Sequence, residues 1–487
     1  MARRVALAVV LAFVLSSFAF GAPLNRDVCI LGGGPAGLSA AAFAKDRGMS
    51  VVVFEKEMSY GGNCNTEKVN AGPGKPDWLD TGVILHANTT ALNKLFITDN
   101  YTIDSPLVAE RFAPGLLLPY DTTAQSPTYL VDFPNGNYSA PYGLLTGGSL
   151  DAFLAAFGRL LNHVKSIPWL NRGRYPDPIP AELLRPFSAV IEELQLEALV
   201  PTFFHPILGA LGITDYSDPE VAPAYLALLY LKPALLLKLT TPGYGFTIKG
   251  GCIKIYDGMV KHIGRSNVLV SANVKLVKRP VGGAIGGSVT VTYSLNGSKK
   301  NRTANCKSLL VAYPQTPMSL KSLDLDAKEK KAFETLKGFY LYTLEVTIEG
   351  PFASKAFSLV NADLSSPGTI SEGRYPGLNR FVGGMPNFPV AAVAVALEPL
   401  TNNEMKKIVQ KQLDKLPKSY ITNSTILSIK AHANYFPHAS TASLSGPGPN
   451  AYTLREQLQG YRRTRWISNQ GDCSLAWQNA YTAVQAL

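Results

Sequence analysis

"DVCILGGGPAGLSAAAFAKDRGMSVVVFEK", residues 27–56, decides the fold. Asp27 to Leu31 has the length and apolar content of a buried strand, and Gly32-Gly33-Gly34-Pro35-Ala36-Gly37 after it satisfies G-x-G-x-x-G. Leu38 to Arg47 carries an alanine-rich helical pattern, Gly48 stops it, and Val51 to Phe54 reads as a second strand. The glycines have distinct physical roles. Gly32 permits a tight strand-to-helix turn, Gly34 lets the backbone approach a pyrophosphate, and Gly37 allows close helix–strand packing. The phosphates would sit at the positive end of the helix, against the unpaired N–H groups around Pro35 and Ala36. Glu55, with Lys56 beside it, lies 18 residues past Gly37 at the tip of the second strand, where a carboxylate accepts ribose hydroxyls. A lone G-x-G-x-x-G is weak, but here strand, glycines, helix, strand and acid arrive in order within about 30 residues. An α/β, Rossmann-type dinucleotide-binding unit is expected, with NAD and FAD both open at this point.

At 487 residues and 46% hydrophobic, the chain can bury one large core or several smaller ones. Charged residues are only 17%, and no low-complexity block breaks the sequence, so a globular protein is expected. The formal charge of +11 is scattered and suits anionic partners without naming one. There is no zinc-ligand spacing, basic helix or aromatic–basic repeat, so neither a metal site nor a nucleic-acid partner is expected. No G-x-S-x-G elbow and no Cys/His pairing of recognisable spacing points to a hydrolase.

Residues 1–21 read as a secretory signal peptide: Arg3 and Arg4, an apolar core from Val5 to Phe20, then Ala19-Phe20-Gly21 with cleavage after Gly21. The competing reading is a membrane anchor, disfavoured because the apolar stretch is short for a bilayer. No stable span is expected once the signal is removed. Sequons at Asn88, Asn100, Asn137, Asn296, Asn301 and Asn423 fit a secreted glycoprotein. Five cysteines (Cys29, Cys64, Cys252, Cys306, Cys473) allow one or two bridges and leave a thiol over; Cys29, inside an apolar strand, is read as a buried small hydrophobe.

Directly after the second strand comes "FEKEMSYGGNCNT", residues 54–66, a turn with paired Gly61 and Gly62, and then Asp80-Thr81-Gly82 ahead of an apolar run. Further on, "TIKGGCIKIYDGMVKHI" (247–263) opens an amphipathic helix on a glycine pair, and "NVLVSANVKLV" (267–277) reads as a strand pair around Ala272-Asn273. "NCKSLLVAYP" (305–314) reads as a buried strand, and residues 452–487 as a strand near Arg465 to Ser468, a Gly471-Asp472 turn and a terminal helix from about Leu475. In this order the pieces resemble the flavin amine-oxidase superfamily over most of the chain. The "LQGYRRTRW" and "DCSLAW" strings and the arginine-free "YGGNCNT" resemble the branch holding beta-cyclopiazonate dehydrogenase and polyenoic fatty acid isomerases rather than the monoamine oxidases.

The resemblance implies FAD, with Gly61, Gly62 and Asn63 passing the diphosphate and ribityl chain, Val274 at the adenine, and Gly471 and Asp472 at the flavin. Cys473 is read as a neighbouring side chain, with a flavin tether as the alternative. It also implies a cofactor domain from 25–95, 246–318 and 455–487. The substrate domain would take 96–245 and 319–454, an α+β unit with an antiparallel sheet and a helical part at 150–245. Leu150 to Val164 opens after Ser149, a candidate N-cap, and the apolar 223–239 run, broken by Pro233 and carrying Lys232 and Lys238, is read as a core helix or a pocket wall.

Many amine oxidases place a lysine on a substrate-domain strand. In the corresponding run, Gly338 to Tyr342, a tyrosine stands there, so Tyr342 is one catalytic candidate, and His86, six residues after Asp80, is the other. The expected function is FAD-dependent hydride abstraction from a small, mostly apolar organic substrate. The alternatives are double-bond isomerisation of an unsaturated fatty acid without net redox, and a flavin-binding protein without turnover.

Overall fold

The computed structural model describes residues 23–70, 72–83, 85–95, 102–120, 127–138, 150–167, 169–170, 175–210, 213, 215–231, 242–281, 287–362, 376–467 and 473–487. The signal segment, Asn100, Ser149, Lys232, Pro233, Lys238, Gly471 and Asp472 lie outside these residues.

Strand β1 (Leu24–Leu31), helix α1 (Pro35–Asp46) and β2 (Val51–Phe54) make the right-handed start of the first sheet. The sheet runs β10 (Val268–Leu269), β2, β1, β13 (Arg302–Val311), β12 (Val289–Leu295), β11 (Ala272–Lys278), with β19 (Thr464–Trp466) pairing the far end of β13. β10, β2, β1, β13 and β19 are mutually parallel, whereas β11 and β12 form an antiparallel ribbon. All four residues of β2 and the last four of β1 are buried, as expected of parallel strands covered on both faces. One face is covered by α1, α2 (Ile253–Ile263) and α4 (Cys473–Gln485), whose Leu38, Ile255, Met259 and Trp477 share a core with Val28, Ile30 and Val53. The opposite face, with Leu31, Val52 and Phe54, merges with the helical segments 150–165, 187–193 and 224–230 into a second core.

A second, largely antiparallel sheet runs β18 (Asn423–Ala439), β14 (Leu336–Glu349), β17 (Val390–Ala396), β16 (Gly377–Gly383), β15 (Phe357–Asn361), β7 (Thr128–Asp132), β8 (Asn137–Tyr138). Its outer face carries Tyr342, Leu344, Leu378, Phe381, Ala392 and Ala394 against Met405, Val409 and Leu413 of α3 (Asn402–Asp414). Helix α3 opens on a capping box between Thr401 and Glu404. Two small sheets complete the fold: β3 (Thr66–Lys68) with β4 (Trp78–Asp80), and β5 (His86–Ala87) with β9 (Gly245–Ile248) and β6 (Leu117–Pro119).

Two expectations are corrected here. The helix Ser105–Phe112, assigned to the substrate domain, packs Ala109 and Phe112 into the core beside α2, and β6 pairs β9, so this stretch stays with the cofactor side. Cys29 is fully buried, but it is bonded to Cys306 rather than a free hydrophobe. A second disulfide joins Cys64 to Cys252, leaving Cys473 as a buried thiol. No helix among the described residues is long and apolar enough to cross a membrane.

The "LQGYRRTRW" string acquires a structural reason. The Arg279 guanidinium, without exposed surface, donates through Nε to Asp324 Oδ1 at 2.7 Å and through Nη2 to Glu329 Oε2 at 2.9 Å. Arg462 donates to Asp324 Oδ2 at 2.7 Å and to Glu329 Oε2 at 3.1 Å. Arg462 sits at φ 46°, a left-handed backbone uncommon for arginine, which the four-membered ion network holds in place. Glu329 is therefore the shared partner of two buried cations. Glu329→Gln should lower unfolding stability by about 3–5 kcal/mol, because two buried guanidinium groups are then left to share the single carboxylate of Asp324. The measurement is the urea midpoint, and an unchanged midpoint would show that the network contributes little.

Candidate functional site

Gly32, at φ 102°, turns the chain out of β1 and donates its N–H to Phe54 O at 2.8 Å. At Gly37 a Cβ would lie 1.9 Å from Gly32 O, so helix and strand approach as closely as a bare backbone allows. Gly34 caps α1 without offering a side-chain acceptor, and Pro35 takes the first helical position. The N–H groups of the first turn are thus left for a ligand. Gly61, Gly62 and Asn63 fold back onto this helix start. Gly61 N–H donates to Gly33 O at 2.9 Å, and a Cβ on Gly62 would lie 3.0 Å from Gly34 Cα.

Glu55 closes the other side. It is 7% exposed, and its carboxylate accepts from Gly33 N at 2.7 Å and Glu57 N at 2.8 Å. Burial raises its pKa against these two hydrogen bonds. Lys56 projects into solvent and pairs with Glu57 at 3.4 Å. Val274, partly buried in β11, stands opposite Tyr293 at a bulge in the ribbon. Asp80 ends β4 and accepts from Thr66 Oγ1 at 2.5 Å and from Cys252 N at 3.1 Å. The Gly250–Gly251 pair lets the start of α2 come this close, since a Cβ on Gly251 would lie 2.2 Å from Thr66 Cγ2. Burial pushes the Asp80 carboxyl up to about 6.

The second sheet turns its inner face to this turn. Lys430 Nζ donates to Gly62 O and Asn65 Oδ1, both at 3.3 Å, and burial lowers its pKa although Glu57, Glu55 and Glu67 act to raise it. Two residues on, His432 Nε2 lies 3.3 Å from Thr343 Oγ1, and burial, with help from Lys430 and Lys56, lowers the imidazole to about 3. That ring is neutral at physiological pH. Glu345, raised by burial and by Glu67, completes the polar end of the face. None of Lys430, His432, Thr343 and Glu345 was singled out from the sequence. Their alternation along β18 and β14 reads as a solvent-facing side, the signal expected of a sheet with one open face.

The catalytic candidates fall elsewhere. Tyr342 faces outward: its hydroxyl donates to Leu400 O at 2.6 Å and accepts from Leu400 N at 3.1 Å beneath α3. The correction follows from strand alternation, since the inward residue of that register is Thr343, one position on. His86 has no exposed surface and is stacked between Phe246 and Trp477, with centroids 5.3 and 5.6 Å away, which is a packing position. Among the described residues no group of three His, Cys, Asp or Glu side chains could hold a metal ion.

An uncapped helix N-terminus, two glycine turns in backbone contact and an acid at the tip of β2 define a dinucleotide-binding protein. Comparison with known proteins is consistent throughout. The family described as NAD(P)-binding Rossmann-like domain matches residues 30–96. The uncharacterized protein R656 of Acanthamoeba polyphaga mimivirus is 30% identical over 476 residues, covering 95% of this chain and 91% of its own. An FAD-dependent oxidoreductase of Colletotrichum higginsianum is 24% identical over 456 residues (91% and 88%), and beta-cyclopiazonate dehydrogenase of Aspergillus oryzae is 27% identical over 314 residues (64% and 60%). Among solved structures, a CLA-producing fatty acid isomerase from P. acnes aligns with a TM-score of 0.64 at 16% identity, covering 95% of this chain and 98% of its own. A putrescine oxidase aligns at 0.59 and 16%, covering 95% and 99%. The chain belongs to the family of these FAD-dependent oxidoreductases, with the amine-oxidase-like fold, and its cofactor is FAD. The residues present fit that group, because the start of α1 has no side-chain cap and the Gly61–Gly62 turn lies against it with no side chain between, a Cβ on Gly62 falling 3.0 Å from Gly34 Cα.

Asp80 yields a pH prediction. Its folded pKa of about 6 lies above the ordinary 3.8, so its protonated form is favoured by folding. The stability this adds is complete below about 3.8 and is lost as pH rises through 6. The stability of Asp80→Asn relative to wild type should rise by about 2 kcal/mol between pH 4 and pH 7. Urea titrations of both proteins at the two pH values check this, and a constant difference would refute it.

Proposed function

We propose that this FAD-dependent oxidoreductase abstracts a hydride from a small, mostly apolar organic substrate lying between the Gly61–Thr66 turn and the inner face of the second sheet. One observation carries the reading: Lys430, on that face, reaches across to Gly62 O and Asn65 Oδ1. Gly32, Gly34, Pro35, Ala36 and Gly37 hold the diphosphate at the helix start, and Glu55, beside Lys56, takes the ribose. Gly61, Gly62 and Asn63 follow the ribityl chain, Val274 meets the adenine, and Gly471 and Asp472 belong to the flavin end. Bound FAD supplies the hydride acceptor. The chain's own part is to orient the substrate and exclude water. Lys430 keeps a desolvated amine at the turn, and His432 offers a neutral imidazole beside the Thr343 hydroxyl. A double-bond isomerase that takes and returns the hydride would use the same face. The valine stripe across the middle of that face, with Val393 and Val395, favours this second reading for an apolar chain.

The purified protein should show the visible bands of an oxidised flavin, bleached anaerobically by substrate. Lys430→Met should keep the flavin and slow bleaching about a hundred-fold. A flavin-free folded protein would overturn the cofactor assignments, and an unchanged rate would remove Lys430 from the reaction. Oxygen uptake marks the oxidase, and new diene absorbance without oxygen uptake marks the isomerase.

We also propose export of the mature chain. Two buried disulfides suit an oxidising compartment, and Asn137, Asn296, Asn301 and Asn423 are exposed. Asn88, by contrast, is engaged as a helix cap and donates to Gly243 O. Expressed through a eukaryotic secretory route, the protein should appear in the medium and lose mass on enzymatic deglycosylation. Retention inside the cell without glycans would overturn this.

A further inference from the structure

On β16 the alternation breaks. Leu378 pairs Ala394 and Phe381 pairs Ala392, all four on the outer face beneath α3, and a register shift at Asn379 separates Leu378 from Arg380. Without the bulge Arg380 would share the face of Leu378 and enter the apolar core. With it, Arg380 pairs Val393 and turns to the inner face. Bulges re-aim a side chain in this way beside functional sites.

What the guanidinium meets there is unusual. Its Nε is buried without a hydrogen-bond partner, and no acid pairs with the group among the described residues. Burial lowers its pKa, and the Tyr120 phenol is the group acting in the opposite sense. A buried cation without a counter-charge is costly unless a ligand supplies one.

The register shows what lies between this cation and the flavin turn. Leu130, Val360, Arg380, Val393, Thr343 and Lys430 are successive cross-strand neighbours on β7, β15, β16, β17, β14 and β18. They form one transverse row on the inner face. Arg380 stands three strands from Lys430, about 14 Å at the usual interstrand spacing. The row is polar at the flavin turn, apolar at Val393 and cationic at Arg380.

We propose that Arg380 anchors the carboxylate of the substrate, which is therefore an aliphatic acid with its reacting carbons roughly ten bonds from the acid group. The inference rests on the reading that the substrate lies along this face, and it names the substrate's chemical class. A guanidinium offers a carboxylate two parallel N–H donors in the plane of the fork, a charge-assisted pairing that neither an amine nor an ester can match.

The test titrates the FAD-loaded protein with dodecanoate, methyl dodecanoate and dodecylamine, followed by the shift of the flavin absorption bands. Dodecanoate should bind about thirty-fold more tightly than its methyl ester. Arg380→Gln should abolish that preference, and Arg380→Lys should keep part of it. Equal affinity for acid and ester, tighter binding of the amine, no binding of any probe, or unaltered acid affinity in Arg380→Gln would each overturn the proposal. If Arg380→Gln does not fold, the acid–ester comparison on wild type and Arg380→Lys decides. If wild type carried no flavin, the cofactor reading would fall separately, and calorimetric titration of the same probes would still decide whether the acid binds at Arg380.

Discussion

The approach of Gly62 to Gly34 is the constraint on which the rest of the structure depends. Two turns from different strands meet backbone to backbone, with Gly61 N–H bonded to Gly33 O and no side chain between them. A methyl on Gly62 would sit 3.0 Å from a backbone carbon that cannot retreat, because Gly32 and Gly37 already hold that turn against the helix. The contact leaves the helix start uncapped and brings the following residues, Asn63 to Thr66, under the second sheet. Asn63 O then accepts from Val83 N, Thr66 bonds Asp80, and Cys64 is bonded to Cys252 at the head of α2. One close contact thereby sets the position of α2, of the small β3–β4 sheet and of the turn that Lys430 touches.

The opposite wall needs a different device, since β19 is only three residues long and parallel to β13. Three ladder pairs cannot aim it alone. The Arg279–Asp324–Glu329–Arg462 network does so by tying three segments that are distant in sequence, and Arg462 lies two residues before the strand. Buried ion networks contribute little net stability but strongly disfavour any arrangement that separates their charges. Placed before a short strand that leads to the terminal helix, such a network specifies position more than it adds energy.

The βαβ start was legible because everything that specifies it is local. Glycine spacing, an alanine-rich helix and a terminal acid lie within one short stretch, and Gly32 and Gly37 occupy places where φ is positive or a Cβ collides. The FAD assignment was legible from the order of later segments. The residues on the inner face of the second sheet were not, for reasons of geometry. Tyr342 and Thr343 are adjacent, and which of them faces inward depends on the phase of β14 between two covered faces. Lys430 and His432 look like the wet side of a strand until a second layer is seen above them. The partner of Cys29 could not be chosen among the remaining cysteines without the sheet order that sets β13 beside β1.

Arg380 shows why such a residue escapes a pattern reading. Strict alternation from Leu378 would bury it on the outer face with Leu378 and the helix residues beneath the sheet, where a charge could not persist. The bulge at Asn379 shifts the phase by one and returns Phe381 to the core while sending the guanidinium to the opposite face. A single inserted residue thus converts an untenable position into one facing the same surface as Lys430. The two cations differ in what they meet. Lys430 already has Gly62 O and Asn65 Oδ1, and nearby glutamates offset its charge. Arg380 has apolar strand neighbours on both sides, Val360 and Val393. A face with one satisfied cation, a valine stripe and one cation that has no ion-pair partner among the described residues is complementary to a molecule that is itself apolar in the middle and anionic at one end. That asymmetry distinguishes this chain's surface from one built for amines, whose charge such a guanidinium would repel.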